Sequence, residues 1–367
     1  VPQSSSKTGP RPEIERVLIY RLGSLGDTVV ALPSYHQIAR AFPNAERRLL
    51  TNIPVHGKAP AAAAVLGESG LVHGYIHYPV GLRGLRRILG LWSEIRRFRP
   101  QVLVYLAALR GPRAVARDRR FFRLCGLRET IGFPHSVEDF ERRRLPGRDQ
   151  WQPEAARLAH SIRELGDANL DDPSSWDLRL TPAELTRAAQ VQREFNGTRF
   201  LVASLGTKAQ ANDWGEANWT ALLGRLAALL PHHRLALIGA PDEREICNRA
   251  ANAWNNRAMN LCGALAPRES AALLRSADLF LGHDSGPMHL ASAVGTPCVA
   301  VFSARNPPGV WFPYGQRNRV VYHRTDCAGC GLTTCIEEKK KCILSITVDE
   351  VLAAALESLE ANASPTS

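Results

Sequence analysis

A two-domain, doubly wound α/β fold is what this sequence predicts, and three observations predict it. Apolar runs of strand length alternate with amphipathic helical stretches, the pattern of βαβ units feeding a parallel sheet. Two of the strands end in Gly-containing turns that open directly into helices. A polar stretch at 167–182 (DANLDDPSSWDLRLTP) then divides 367 residues into two halves of the same design. The domains are expected over 13–175 and 183–346. Residues 1–12 and 361–367 read as disordered ends.

RVLIYRL (16–22) is the first strand, followed by a Gly-rich turn and a helix to about 40. RRLLTNI (47–53) is the second. LRGLRRILGLWSEIRRFR (82–99) places Leu85, Ile88, Leu89, Trp92 and Ile95 at helical spacing. It reads as a sheet-covering helix whose arginines face water. Pro100 stops it, and QVLVYLAA (101–108) is a buried strand. Beyond the polar stretch the strands are RFLVASLG (199–206), RLALIGA (234–240), DLFLGHD (278–284) and PCVAVFS (297–303). TVDEVLAAALESLEA (347–361) is a closing helix, with Thr347 as cap and Glu350 three residues on.

The net charge of +11 is uneven. Residues 1–197 hold 30 Lys and Arg against 20 Asp and Glu; the remainder is nearly neutral. A basic half suits an anionic partner: nucleic acid, an acidic membrane face or a phosphorylated glycolipid. The plain alternative is an Arg-rich composition. Aromatics are not interleaved with the Arg runs and no nucleic-acid motif is present, so nucleic acid is not the expected partner. No window approaches a membrane span, and the polar start lacks a signal-peptide core. A cytoplasmic protein is expected, with peripheral contact at the inner face of the cell membrane as one use of the charge.

RLGSLGDTVVALP (21–33) brings Gly23, Ser24 and Gly26 to a helix start, where free N–H groups attract anions. The spacing is GxxG, unlike the GxGxxG of dinucleotide enzymes, and tight βα packing alone would explain it. Asp27, at the carboxyl end of a strand, is placed to take a proton from a bound hydroxyl, or simply to stabilise its own helix. GHDSGPMHLASAVGTP (282–297) is the richer segment. His283 and Asp284 end a strand, Ser285 and Gly286 turn the chain, and Pro287 suits a first helical turn. The helix amides and the Ser285 hydroxyl form a diphosphate cradle; a capped helix is the alternative. Thr207 and Lys208 in SLGTKAQANDWG (204–215) offer a hydroxyl and a cation. Asp242 or Glu243 in IGAPDERE (238–245) offers a carboxylate for ribose hydroxyls, or is a surface acid opening a helix.

With these segments in order, the chain resembles glycosyltransferase family 9, the heptosyltransferase-like enzymes of bacterial surface glycans. RLGSLGDTVVALP, TKAQANDWGEANW, GAPDERE and DSGPMHLASAVGTP carry the likeness, which covers roughly 14–358. It implies a GT-B fold: two Rossmann-like domains facing a cleft, with helix 347–360 packing back on the first. It implies an inverting transfer from a nucleotide-diphosphate sugar to a hydroxyl of a glycan or glycolipid acceptor, with no cofactor or metal required at the donor. Asp27 would be the general base, beside the acceptor-side loop of Gly23, Ser24 and Gly26. Thr207, Lys208, Glu243, Asp284, Ser285, Gly286, Pro287, Met288 and His289 would hold the donor. Asn212 stands where members with heptose donors carry Lys, so the sugar and the nucleotide base stay open. A nucleotide-sugar epimerase of the same fold and a non-catalytic nucleotide-sugar-binding protein are the competing readings.

Cys327, Cys330, Cys335 and Cys342 crowd together as C-x2-C-x4-C-x6-C. Four thiolates suit a structural Zn²⁺; a disulfide staple or free thiols are the other readings.

Overall fold

Val17, Leu18, Ile19 and Tyr20 are all buried, so their strand is covered on both faces, as a central strand of a parallel sheet must be. In this computed structural model, which describes residues 9–52, 62–78 and 84–363, that strand is β1 (Arg16–Tyr20). It lies in a five-stranded parallel sheet with β2 (Glu46–Asn52), β3 (Gly74–Tyr78), β4 (Val102–Tyr105) and β5 (Glu129–Ile131). Helices α1 (Leu25–Val29), α2 (Leu32–Ala41), α3 (Ala63–Leu66), α4 (Leu85–Phe98), α5 (Pro112–Leu124) and α6 (Glu154–Ser161) accompany it. The order β3-β2-β1-β4-β5 reverses direction between β1 and β4. Open α/β sheets bind their ligands at the carboxyl ends of the strands flanking such a reversal.

The second sheet repeats the plan with six parallel strands: β6 (Phe200–Ser204), β7 (Arg234–Leu237), β8 (Ala258–Asn260), β9 (Leu279–His283), β10 (Cys298–Phe302) and β11 (Arg319–Tyr322). Its order is β11-β10-β9-β6-β7-β8, so the reversal falls between β6 and β9. Helices α7 (Pro182–Arg193), α8 (Glu216–Leu229), α9 (Arg244–Ala251), α10 (Pro267–Leu274), α11 (Gly286–Ala293), α12 (Lys341–Leu344) and α13 (Val348–Ala363) complete it. Trp214, Trp219 and Trp254 are fully buried in its core beside Leu222, Leu223 and Leu226. Each such leucine contributes roughly 1.5–3 kcal/mol by leaving water.

Two compact units result. One takes the chain up to Arg148 and Glu154–Arg179; the other takes Asp149–Pro153 and everything from Leu180 onward. Helix α13 packs on α8, β9, β10 and β11, and its Val351, Leu352, Ala355 and Leu359 join the second core. It therefore belongs to the second compact unit. That helix continues to Ala363, past the expected end of order at 360. At the other end Arg11 is anchored, its N–H donating to the Ala41 carbonyl and its guanidinium pairing with Glu129. The remaining terminal residues, 1–8 and 364–367, lie outside the described residues, as does Ile53 of the second expected strand.

The expectation for α4 also needs correction. Leu91, Ile95 and Phe98 are its buried residues, whereas Leu85, Leu89 and Trp92 are 77 %, 58 % and 36 % exposed. The buried stripe lies to one side of the apolar stripe, so three large apolar side chains face water.

Candidate functional site

At the end of β1 the chain turns through Gly23 into α1. A Cβ on residue 23 would stand 2.3 Å from Asp27 Cβ, so only glycine admits the Asp27 side chain over the turn. The Asp27 Oδ2 accepts the Ser24 N–H at 2.8 Å and the Ser24 hydroxyl at 2.9 Å. The Gly23 N–H donates to Asn52 Oδ1, at the end of β2, at 2.6 Å. Asp27 thus caps its own helix, and 25 % of its side chain remains exposed. Ser24 and Gly26 complete the same turn.

Behind the turn lies a buried ionic cluster that the sequence did not single out. Arg21 is 1 % exposed and donates to the backbone carbonyls of Asp27 (3.1 Å) and Leu106 (3.1 Å). It also approaches Asp27 Oδ1 at 3.5 Å and Glu154 Oε1 at 3.4 Å. Glu154 is equally buried and takes Arg157 and Arg142 as well. Burial alone would raise its pKa, but hydrogen bonds and charge from Arg157, with Arg21 and Arg142, outweigh that and hold it at about 2. Arg21 therefore joins β1, the loop after β4 and the Asp27 turn at one reversal point.

The second unit gathers the residues expected on the donor side at the carboxyl ends of β6, β7 and β9, three adjacent strands. After β9, Ser285 takes an extended backbone (φ −149°, ψ 165°) and α11 begins at Gly286. Helix geometry leaves the N–H groups of Gly286 and Met288 without partners inside the helix, while Pro287 has none to satisfy. The Ser285 Oγ does not cap the helix. It is buried and makes no hydrogen bond among the described residues. A buried hydroxyl without a partner costs about 1–3 kcal/mol, and a ligand oxygen at this helix end would supply the partner. Met288 and His289 are themselves buried, so Met288 offers its amide and His289 faces inward, 6.3 Å from the Trp311 ring. Asp284 is half-buried at the strand end.

Glu243 folds over the same strand ends. Its Oε2 accepts the Ala240 N–H at 2.9 Å. A Cβ on Gly206 would fall 1.7 Å from Oε1 and one on Gly239 2.2 Å from Oε2. Two glycines, one after β6 and one after β7, make room for this carboxylate. In doubly wound sheets the end of the second strand is where an acid meets a ribose. Asp242 is exposed. Thr207 is half-buried, its hydroxyl donating to the Ala209 carbonyl at 3.3 Å, and Lys208 is exposed on the same loop.

His283 is a framework residue. It is completely buried, and burial pushes its pKa down to about 4. The neutral ring accepts the Trp214 N–H at 3.1 Å and the Trp219 indole N–H at 3.0 Å through Nε2. It pins the loop after β6 to the last residue of β9. Asn212 is likewise buried, taking the Ser303 hydroxyl on its Oδ1.

Lys340 is a half-buried cation near these strand ends that sequence reasoning did not single out. Its ammonium, 15 % exposed, donates to the Asp213 carbonyl at 2.9 Å and Oδ2 at 3.0 Å. Its charge reaches His283, at the end of β9. The signal was available: half of the six lysines in the chain form one run, 339–341.

The four clustered cysteines are not brought together as a ligand set: among the described residues no three of His, Cys, Asp and Glu stand close enough to hold a metal. All four are free thiols. Cys335 and Cys342 are buried while Cys330 is exposed, so the pair behaves as small core side chains. Zinc, disulfide and free-thiol readings of this cluster therefore stand as expectations. Their loop braces the loop after β6, with Thr333 O accepting the Ala211 N–H and the Cys335 N–H donating to Gln210 Oε1.

Comparison with known proteins bears on this arrangement. Residues 137–341, more than half the chain, match the model of glycosyltransferase family 9 (heptosyltransferase); that range contains the whole second site, and the Asp27 turn precedes it. Lipopolysaccharide heptosyltransferase 1 of Pseudomonas aeruginosa is 27 % identical over 344 residues, covering 87 % of each chain. Among solved structures, a family 9 glycosyl transferase from Veillonella parvula superposes with a TM-score of 0.72 at 17 % identity, covering 95 % of this chain and 98 % of that one. The E. coli heptosyltransferase WaaC with ADP-2-deoxy-2-fluoro heptose does so at 0.61 and 16 %, covering 93 % and 99 %. The fold is the GT-B fold of these transferases, and the chain belongs to glycosyltransferase family 9.

Proposed function

We propose that this enzyme transfers a heptose, with inversion, from a nucleotide-diphosphate sugar to a hydroxyl of a lipopolysaccharide-core-like acceptor. The observation that carries the reading is the buried Ser285 hydroxyl, without a hydrogen-bond partner among the described residues, at the amino end of α11 where the second sheet reverses. A diphosphate there would accept from Ser285 Oγ and from the Gly286 and Met288 amides. Glu243 is read as the ribose acceptor, with Thr207, Lys208, Asp284 and Lys340 around the phosphates and sugar. The WaaC complex holds an ADP-heptose analogue, and the Pseudomonas relative bears a lipopolysaccharide name; both support ADP-heptose and a lipid-linked acceptor.

Asp27 is proposed as the general base. Its carboxylate takes the acceptor's hydroxyl proton as that oxygen attacks the anomeric carbon. The carbon–oxygen bond to the diphosphate breaks, and the nucleoside diphosphate leaves with the electron pair. The α11 amides, the Ser285 hydroxyl and the lysine cations stabilise the developing charge. Arg21, holding the Asp27 carbonyl, acts as a positioning residue.

Mass spectrometry of a reaction containing ADP-heptose and a core-truncated lipopolysaccharide tests this. The acceptor should gain one heptose as one equivalent of ADP appears. A new nucleotide sugar with the diphosphate intact would instead establish the epimerase reading. Unaltered donor and acceptor, with ADP-heptose bound, would leave a binding protein.

A further inference from the structure

Helix α4 has an unusual face. Leu85, Leu89, Trp92 and Arg96 follow one another at helical spacing along it, and the first three are the exposed apolar residues already noted. The Trp92 indole N–H donates to the Leu124 carbonyl at 2.9 Å, which brings the end of α5 alongside. Leu124 is itself 72 % exposed. Four large apolar side chains are thus exposed on two neighbouring helices whose buried residues share a core on the first sheet.

The charge around them is one-sided. Residues 84–128 contain twelve Arg and two acids. One acid, Asp118, is buried and taken up by Arg110, Arg117 and the Tyr105 hydroxyl. Only Glu94 is exposed. This segment alone carries the whole net charge of the first 197 residues. Arg86, Arg87, Arg96, Arg97, Arg120 and Arg123 are all exposed on the two helices, and the Arg96 guanidinium lies 5.5 Å from the Trp92 ring centre. Leucines and a tryptophan on one stripe, rimmed by arginines, is the composition that seats a helix at the boundary of headgroups and acyl chains. A protein partner would need matching acids, whereas an anionic leaflet supplies continuous negative charge and an apolar interior together.

We propose that the α4–α5 face is a membrane-docking surface, inserting Leu85, Leu89, Trp92 and Leu124 into an anionic phospholipid leaflet while the surrounding arginines bind its phosphates. This deepens the reading of a lipid-linked acceptor; none of the described helices is long and apolar enough to cross a membrane.

Vesicle sedimentation without donor or acceptor tests the surface independently of transfer. The full chain should bind phosphatidylcholine vesicles containing phosphatidylglycerol, bind pure phosphatidylcholine weakly, and release in high salt. Brominated lipid should quench Trp92, and Trp92→Phe should abolish that quenching. Leu85→Glu with Leu89→Glu, at exposed positions that leave the core intact, should lower partitioning by at least about tenfold. Equal binding by this double variant and the parent, or no binding by the parent, would overturn the proposal. So would a dimeric parent that the double substitution makes monomeric, since a second copy would then cover the patch. Loss of vesicle binding with normal transfer to a soluble acceptor would support the docking surface, whereas absent transfer with normal vesicle binding would count against the catalytic reading alone.

Discussion

Asp27→Asn should lower kcat by roughly 10²- to 10⁴-fold, the contribution of a positioned general base, with donor affinity unchanged. The substitution is informative because it separates the two things Asp27 does. Its Oδ2 accepts from the Ser24 N–H and hydroxyl, and an asparagine carbonyl oxygen can accept both. The helix cap survives, while the proton acceptor is lost. Asp27→Ala removes both and should add about 1 kcal/mol of destabilisation. Steady-state kinetics of the two variants, beside donor titrations, decide the role. If Asp27 were only a cap, the asparagine variant would turn over like the parent.

The largest stability effect is expected at Glu154. Its carboxylate, 1 % exposed, is shared by Arg21, Arg142 and Arg157. Removing it in Glu154→Ala leaves three cations crowded and uncompensated, at a cost of about 3–5 kcal/mol. Chemical denaturation measures this directly; a loss under about 1 kcal/mol would contradict the account. The pH dependence has a definite sign. The folded pKa, about 2, lies below the ordinary value of 4.5. The ionised group therefore stabilises the fold fully above pH 4.5, and the benefit fades as pH falls from 4.5 to 2. That window is worth roughly 3 kcal/mol, and Glu154→Gln should show no corresponding loss there. Because Arg21 also holds the Asp27 carbonyl, Glu154→Ala should lower kcat as well.

The strands that were legible in the sequence, and those that were not, divide cleanly. The seven foreseen strands, β1, β2, β4, β6, β7, β9 and β10, are the interior strands of the two sheets. Buried on both faces, they announce themselves as apolar runs. The four that went unread, β3, β5, β8 and β11, are the four edges. GYIHY, ETI, AMN and RVVY are short or half-solvated and carry no such run. The site shows the same division. Gly23, Ser24, Asp27, Glu243 and Ser285 were readable because glycines and helix starts mark strand ends locally. Arg21, Glu154 and Lys340 were not, since their partners lie 133 residues away for Arg21 with Glu154 and 127 for Lys340 with Asp213. The α4 stripe misled for a related reason: periodicity identifies a helix, but the neighbouring elements decide which of its apolar residues are covered.

The central claim is that the amino end of α11, with Ser285, receives a nucleoside diphosphate. Calorimetric titration of ADP into the parent and into Ser285→Ala tests it most directly. The hydroxyl makes no hydrogen bond among the described residues, so its removal should leave folding intact and act on binding alone. The parent should bind ADP, and the variant should bind it roughly 10- to 100-fold more weakly, the worth of one hydrogen bond to a charged group. Equal affinities, or no ADP binding by the parent, would contradict the claim.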